Sequence, residues 1–223
     1  MREVVLDTET TGLNPADGHR VVEIGCIELV NHIPTGNHRQ WYINPERDVP
    51  ADAKAIHGLS STFLASQPLF SDIAESFLAF LCDATLIIHN AAFDIKFLNT
   101  ELQRCGLPSL SMSRVVDTVA MARRRFPGAQ VSLDSLCRRF SIDNSSRTVH
   151  GALLDSQLLA AIYLELIGGR EPKLTLAIPK VAVVTTAVVD RPYRPARSHT
   201  ASPEELEAHV ELVSTLKNPL WEQ

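Results

Sequence analysis

Val4-Val5-Leu6-Asp7-Thr8-Glu9-Thr10-Thr11-Gly12 reads as a buried β-strand that ends in two acids and a turn. Strand alternation puts Asp7 and Glu9 side by side on one face. Two carboxylates so close repel one another and are costly to bury unless a cation lies between them. A strand end with two solvated acids gives the same short pattern, so the rest of the chain has to decide between them.

Working outward, positions 21–27 form a second β-branched run, separated from the first by the turn-rich stretch 12–18. Gln40-Trp41-Tyr42-Ile43 is a third strand, closed by Asn44-Pro45. Phe70, Ile73, Phe77 and Phe80 recur at helical spacing and give one strongly apolar face. Positions 85–88 read as a short buried strand, and 92–104 as a helix stopped by Gly106 and Pro108. Helices follow around 117–125, 133–140 and 152–167, the last ending at Gly168-Gly169. Three strands in hairpin-like succession, then strand and helix in alternation, predict an α/β fold: a mixed sheet covered by helices.

The chain has 223 residues with 21 Lys+Arg against 26 Asp+Glu, a formal net charge of −5. That length suits one domain, or one plus an appendage. The acidic balance excludes a protein that holds nucleic acid by bulk positive charge, but not one that grips a few nucleotides through metal ions. Cys26, Cys82, Cys105 and Cys137 form no CxxC pair and sit in apolar segments, which predicts buried free thiols. Positions 181–189, the longest apolar stretch outside the core, are too few to span a membrane. The first residues resemble neither a signal nor a transit peptide, and the expected location is cytoplasmic.

Beyond position 170 the character changes. Six of the thirteen prolines fall there and no glycine does, so 170–200 reads as an extended linker. Ser202-Pro203-Glu204-Glu205 then starts a helix, with a capping Ser, Pro at the first helical position and acids in the first turn. Leu206, Val210 and Val213 line one face of it. A helix this short is marginal alone in water and needs a surface to dock on.

Further acids extend the first pair. Asn90 is placed to cap the helix that follows it, with Asp94 in the first turns. Alone, Asp94 is no more than a favourable acid near a positive helix end. In His150-Gly151-Ala152-Leu153-Leu154-Asp155, Asp155 shares a helical face with Leu159, Ile162 and Leu166, an unsuitable row for a solvated acid. His150 precedes that helix and is free to point at the same place. Beside four acids it becomes a candidate general base, since imidazole exchanges protons near neutral pH. Such a set suggests an oxygen-ligated divalent site, and two Mg²⁺ ions about 3.5–4 Å apart would activate water against a phosphodiester. The sequence carries no zinc pattern of clustered Cys or His, no GxxxxGK[ST] and no GxGxxG.

In this combination Asp7-x-Glu9, Asp94 and His150-x₄-Asp155 resemble the DnaQ-like DEDDh exonucleases, which have a ribonuclease H-like fold. The resemblance also takes in Leu6–Leu13 around the first acids, Val22-Glu23-Ile24-Gly25, Ile56-His57-Gly58-Leu59, positions 88–95 and Phe126-Pro127-Gly128. Over residues 1 to about 169 it is to the epsilon, or proofreading, subunits of bacterial DNA polymerase III. It implies that Asp7, Glu9, Asp94 and Asp155 hold two Mg²⁺ or Mn²⁺ ions and that His150 takes a proton from the attacking water. The reaction would release 5′-mononucleotides from a DNA 3′ end. Thr10, Thr11 and Gly12 would hold the terminal nucleotide and Leu13 would wedge against its base, with His57, Asn90 and Phe93 further substrate-side candidates. The alternative roles of these three are surface His, helix cap and core aromatic. Asp117 is either part of the family pattern or a helix start, and Arg123-Arg124-Arg125 either faces DNA or is a solvated run.

The resemblance also divides the chain into an exonuclease domain at 1–169, a linker at 170–200 and, at 201–223, a segment that binds the polymerase catalytic subunit. A sliding-clamp contact at 173–178 departs from its pattern, with Lys173 and Ile178 where a Gln and an aromatic are expected. Two rival readings share the same acids: a DEDDh ribonuclease trimming RNA 3′ ends, and a non-catalytic subunit that stabilises a polymerase.

Overall fold

In the computed structural model, which describes residues 1–145, 147, 149–169 and 200–216, the acid-bearing run lies in the central strand of a sheet. That strand is β1 (Arg2–Thr10). On one side it pairs antiparallel with β2 (Val21–Val30), which pairs antiparallel with the edge strand β3 (Ile33–Tyr42). On the other it runs parallel to β4 (Thr85–Ile88), and β4 runs parallel to β5 (Val115–Asp117). The order is β3-β2-β1-β4-β5.

The helices are α1 (Ala51–His57), α2 (Ser61–Ala65), α3 (Phe70–Leu81), α4 (Ala91–Arg104), α5 (Thr118–Arg125), α6 (Leu133–Phe140) and α7 (Ala152–Ile167). Residues of β1 alternate between two cores, as a strand's period of two requires. Val4 and Leu6 pack with Phe70, Phe77, Phe97 and Leu98 from α3 and α4. Val5 packs on the opposite face with Leu159, Ala160 and Tyr163 of α7. The other side of α7 buries Leu158, Ile162 and Leu166 against Ala122 and Leu136 of α5 and α6. A helix wrapped on both sides has to be apolar nearly all round, and this one is.

What seats α7 on the sheet is a close approach at β2. A Cβ on Gly25 would lie 2.3 Å from the backbone of Ala152 and Leu153. Just beside it, the buried Glu23 carboxylate faces the backbone N–H groups of Ala152 and Leu153, whose pull on its charged form opposes the rise in pKa that burial causes. Those are orphan donors of the α7 N-terminus, where Gly151 supplies no side-chain cap. Ser156 Oγ donates to the Gly25 carbonyl at 3.1 Å. Because Asp7 pairs with Gly25 and Glu9 with Glu23, this contact delivers the start of α7 beside the two strand acids.

Several sequence expectations change in detail. Asn90 sits at the N-cap position of α4 but in left-handed backbone (φ 67°), where its side chain makes no cap bond. Instead its N–H donates to Asp117 Oδ1 at 3.2 Å. Asp117 is a helix start, accepting from Val119 N at 2.9 Å. Arg125 is spent on the C-terminal carbonyls of Glu165 and Leu166 at the end of α7. All four cysteines are free, but Cys82 is exposed and Cys105 only half-buried. The third strand starts at Ile33, well before position 40, and α1, α2 and β5 are short elements that periodicity did not mark.

The linker at 170–200, the clamp-like stretch 173–178 and Leu220-Trp221 lie outside the described residues. Helix α8 (Pro203–Thr215), a separate unit, has the expected capping box, with Ser202 N donating to Glu205 Oε2 at 2.8 Å and Glu205 N to Ser202 Oγ at 3.2 Å. Leu206 and Val210 on it are exposed. Among the described residues no helix is long and apolar enough to cross a membrane.

Gly25→Ala is expected to lower unfolding stability by about 3 kcal/mol or more in urea denaturation, the upper range for overpacking, because backbone blocks the new methyl group. An unchanged midpoint would mean that α7 does not sit on β2 as described.

Candidate active site

Three elements bring four acids to one cleft of about 530 Å³. Asp7 and Glu9 come from β1, and Asp94 from the first turn of α4. Asp155 comes from the first turn of α7, and His150 from just before that helix. Asp94 and Asp155 are 3% and 5% exposed, far from the solvated state of ordinary helix acids. Thr8 Oγ1 donates to Asp94 Oδ1 at 2.6 Å and ties α4 to β1. His150 is held through its backbone, whose N–H donates to the Ile56 carbonyl at 3.0 Å at the end of α1.

The acids are in electrostatic conflict. Burial, then Asp94, Glu9 and Asp155, raises the Asp7 carboxyl well above its ordinary range. Burial, with Asp155 and Glu23 behind it, pushes Glu9 up to about 8. Burial raises Asp94 to about 7 despite the Thr8 hydrogen bond, which works the other way. A cation relieves all three at once. The donors facing the cleft are mainly carboxylate oxygens, and Glu9, His150 and Asp155 each offer a ligand atom within 4.8 Å of one another. That set fits a hard, oxygen-preferring divalent ion.

A second cleft, of about 580 Å³, adjoins the first and shares Thr8, Glu9 and Phe93 with it. Thr10, Thr11, Gly12, Leu13, Ile56 and His57 line it, so the structure gathers every substrate-side candidate there except Asn90, which lines the first. Leu13 stands 84% exposed at its edge. Phe93 is both things weighed for it, packing against Phe97 in the core and lining both clefts. The loop is pinned by Arg20, whose guanidinium grips the buried Glu101 at 2.7 and 2.8 Å, while Thr11 bonds the Arg20 backbone in both directions. His57 is no surface residue. It is 4% exposed, Nδ1 accepts from Leu59 N at 3.1 Å, and buried Nε2 has no partner. Burial, then His150, lowers its pKa, so it is neutral in the folded protein at neutral pH.

Sequence reasoning missed Arg147, Asp134, His89 and the service of Glu23. Arg147 sits among the acids, bonded to Asp155, Asp134 and His150. Its signal was present, a cation three residues before a candidate base, but no periodicity singles out a loop residue. His89 lines the same cleft and meets Thr118 Oγ1 at 2.8 Å.

Comparison with known proteins agrees with this geometry. The family described as Exonuclease matches residues 4–163. DNA polymerase III subunit epsilon of Rickettsia felis is 49% identical over 222 residues, 97% of each chain. The protein of that name from Escherichia coli K12 is 46% identical over 176 residues, 76% of this chain and 72% of that one. Among solved structures, exonuclease X in complex with 5′ overhanging duplex DNA aligns with a TM-score of 0.59 and 24% identity, over 74% of this chain and 90% of that one. The nuclease domain of 3′hExo, a DEDDh family member bound to rAMP, aligns with a TM-score of 0.65 and 18% identity, over 74% and 91%. The likeness to these two structures is one of fold. With the family model matched over more than half of the chain and the Rickettsia felis relative covering nearly all of it, the protein belongs to the exonuclease family, in the branch of the DNA polymerase III epsilon subunits.

Proposed function

We propose that this chain is the proofreading 3′–5′ exonuclease subunit of a bacterial, cytoplasmic DNA polymerase III, removing mismatched nucleotides from DNA 3′ ends as 5′-mononucleotides. The observation that carries the reading is the convergence of Asp7, Glu9, Asp94 and Asp155 with His150 on one cleft. The four acids would hold two divalent ions, Mg²⁺ or Mn²⁺. When bound, such ions supply an activated water and a stabilised leaving oxygen. His150, half exposed at the cleft, takes the proton of the attacking water. The second cleft receives the terminal nucleotide once it has left its duplex, with Leu13 against the base and Thr10, Thr11 and Gly12 along the sugar and phosphate. His57 serves the substrate from the lining of the second cleft, and Asn90 and Phe93 flank the scissile end.

A chain with net charge −5 makes a poor free-standing DNA binder. Tethering removes the difficulty by raising the effective concentration of the 3′ end. The 201–223 segment is the natural tether to the polymerase catalytic subunit, its exposed Leu206 and Val210 supplying an apolar face. A weak clamp contact through 173–178 would add to it.

With Mg²⁺, purified protein should shorten a 3′-mismatched DNA primer stepwise to 5′-mononucleotides. Asp7→Ala/Glu9→Ala should abolish this, and His150→Ala should slow it by about 10²–10⁴-fold, the usual share of a general base. Turnover of an RNA oligomer with DNA untouched would favour the ribonuclease instead, and inertness towards both the stabilising subunit.

Stability should report the same acids. A carboxyl raised on folding stabilises the fold below its unfolded pKa of about 4 and loses that contribution as pH climbs through the folded value. Glu9 at about 8 and Asp94 at about 7 therefore predict that, in chelator, the melting temperature falls between pH 5 and pH 9. Saturating Mg²⁺, which favours the ionised acids, should flatten the fall; a flat profile in chelator would contradict the buried conflict.

A further inference from the structure

Arg147 is 7% exposed at its side chain, and its guanidinium makes four hydrogen bonds inside the cleft. Nε donates to Asp155 Oδ1 at 2.5 Å and Nη2 to Asp155 Oδ2 at 2.7 Å, a two-point grip on both carboxylate oxygens. Nη2 also donates to His150 Nδ1 at 2.8 Å, which makes that ring nitrogen an acceptor. Nη1 donates to Asp134 Oδ1 at 2.8 Å, at the start of α6, where Asn144 Nδ2 donates to the same oxygen at 3.1 Å. Asp134 is 47% exposed at its side chain, against 6% for Asp155.

The grip takes a lone pair from each Asp155 oxygen and sets a fixed positive charge against any divalent ion that approaches the same carboxylate. A guanidinium does not lose its proton in proteins, so it relieves that repulsion by moving rather than by neutralising. We infer that Arg147 is a built-in cationic latch. Before the ions bind, it holds Asp155 and His150 in place by occupying both; on binding, it is displaced and swings about its Asp134 contact. In the latched arrangement, His150 Nδ1 has its lone pair taken as well, so one displacement frees a metal ligand and the ring nitrogen together. The chemistry would thus be withheld until the ions are bound. Asp134 is the half-solvated carboxylate that retains Arg147 afterwards, so that the displaced charge stays beside the cleft. Arg147 in this account is a positioning residue, and the inference rests on the metal-binding reading of the cleft.

Calorimetric Mn²⁺ titration of the full chain in the absence of DNA tests the latch apart from turnover. Arg147→Ala should bind Mn²⁺ about tenfold tighter than wild type, as expected when a charge-assisted competitor for the same oxygens is removed. Arg147→Lys keeps the charge but loses the two-point fork, and should also bind tighter. Asp134→Ala should weaken Mn²⁺ binding in the wild-type background and leave it unchanged in the Arg147→Ala background, because it acts through Arg147. Equal or weaker binding by Arg147→Ala, with wild-type binding intact, overturns the latch alone. A Lys variant that binds like wild type overturns the grip and leaves only a through-space charge. If neither wild type nor Arg147→Ala binds Mn²⁺, the metal reading fails and the latch falls with it.

Discussion

The start of α7 lies against the backbone of β2, close enough that Gly25 has no room for a side chain. On that contact the rest of the site depends. β1 carries Asp7 and Glu9 however the remainder folds, because its own apolar residues put it at the centre of the sheet. Asp155 and His150 reach those acids only because α7 begins where it does. Glu23 is the electrostatic half of the same contact: a buried carboxylate, costly alone, held by a hydrogen bond from Gln40 and eased by the positive end of a helix. The sheet therefore places the helix, and the helix places the fourth acid and the candidate base.

A protein gains no stability by burying several acids together, and this one contains the conflict rather than dispersing it. Thr8 holds Asp94 by a hydrogen bond, Arg147 occupies Asp155, and Asp7 and Glu9 stand with raised proton affinity. The surrounding contacts hold that cluster still. Arg20 and Glu101 pin the loop after β1 to α4, and Arg125 closes the C-terminal end of α7. A site in that condition favours divalent cations for the same reason that it is unfavourable without them.

Much of this was legible in the chain. The alternation of Val4, Val5 and Leu6 gave a strand buried on both faces with its acids at one end, and the apolar row around Asp155 marked that acid as unusual. The acids thus declared themselves by being in the wrong company. Glu23 and Gly25 could be noticed as part of a pattern, but their purpose could not be read, because it lies in a contact with residues more than 120 positions away. Asn90 misled for a related reason: its residue type suits a cap, while its backbone is left-handed and its N–H is bonded to Asp117, 27 positions away. Arg147 was not singled out because a loop arginine has no period, and its meaning is in the three groups it touches.

If these acids form one two-ion site across β1, α4 and α7, anomalous scattering from crystals grown with Mn²⁺ and a 5′-mononucleotide will locate it. Two ions are expected about 3.5–4 Å apart, bracketed by Asp7, Glu9, Asp94 and Asp155, with the nucleotide's base over Leu13. Ions bound elsewhere, or held without Asp155, would contradict that site.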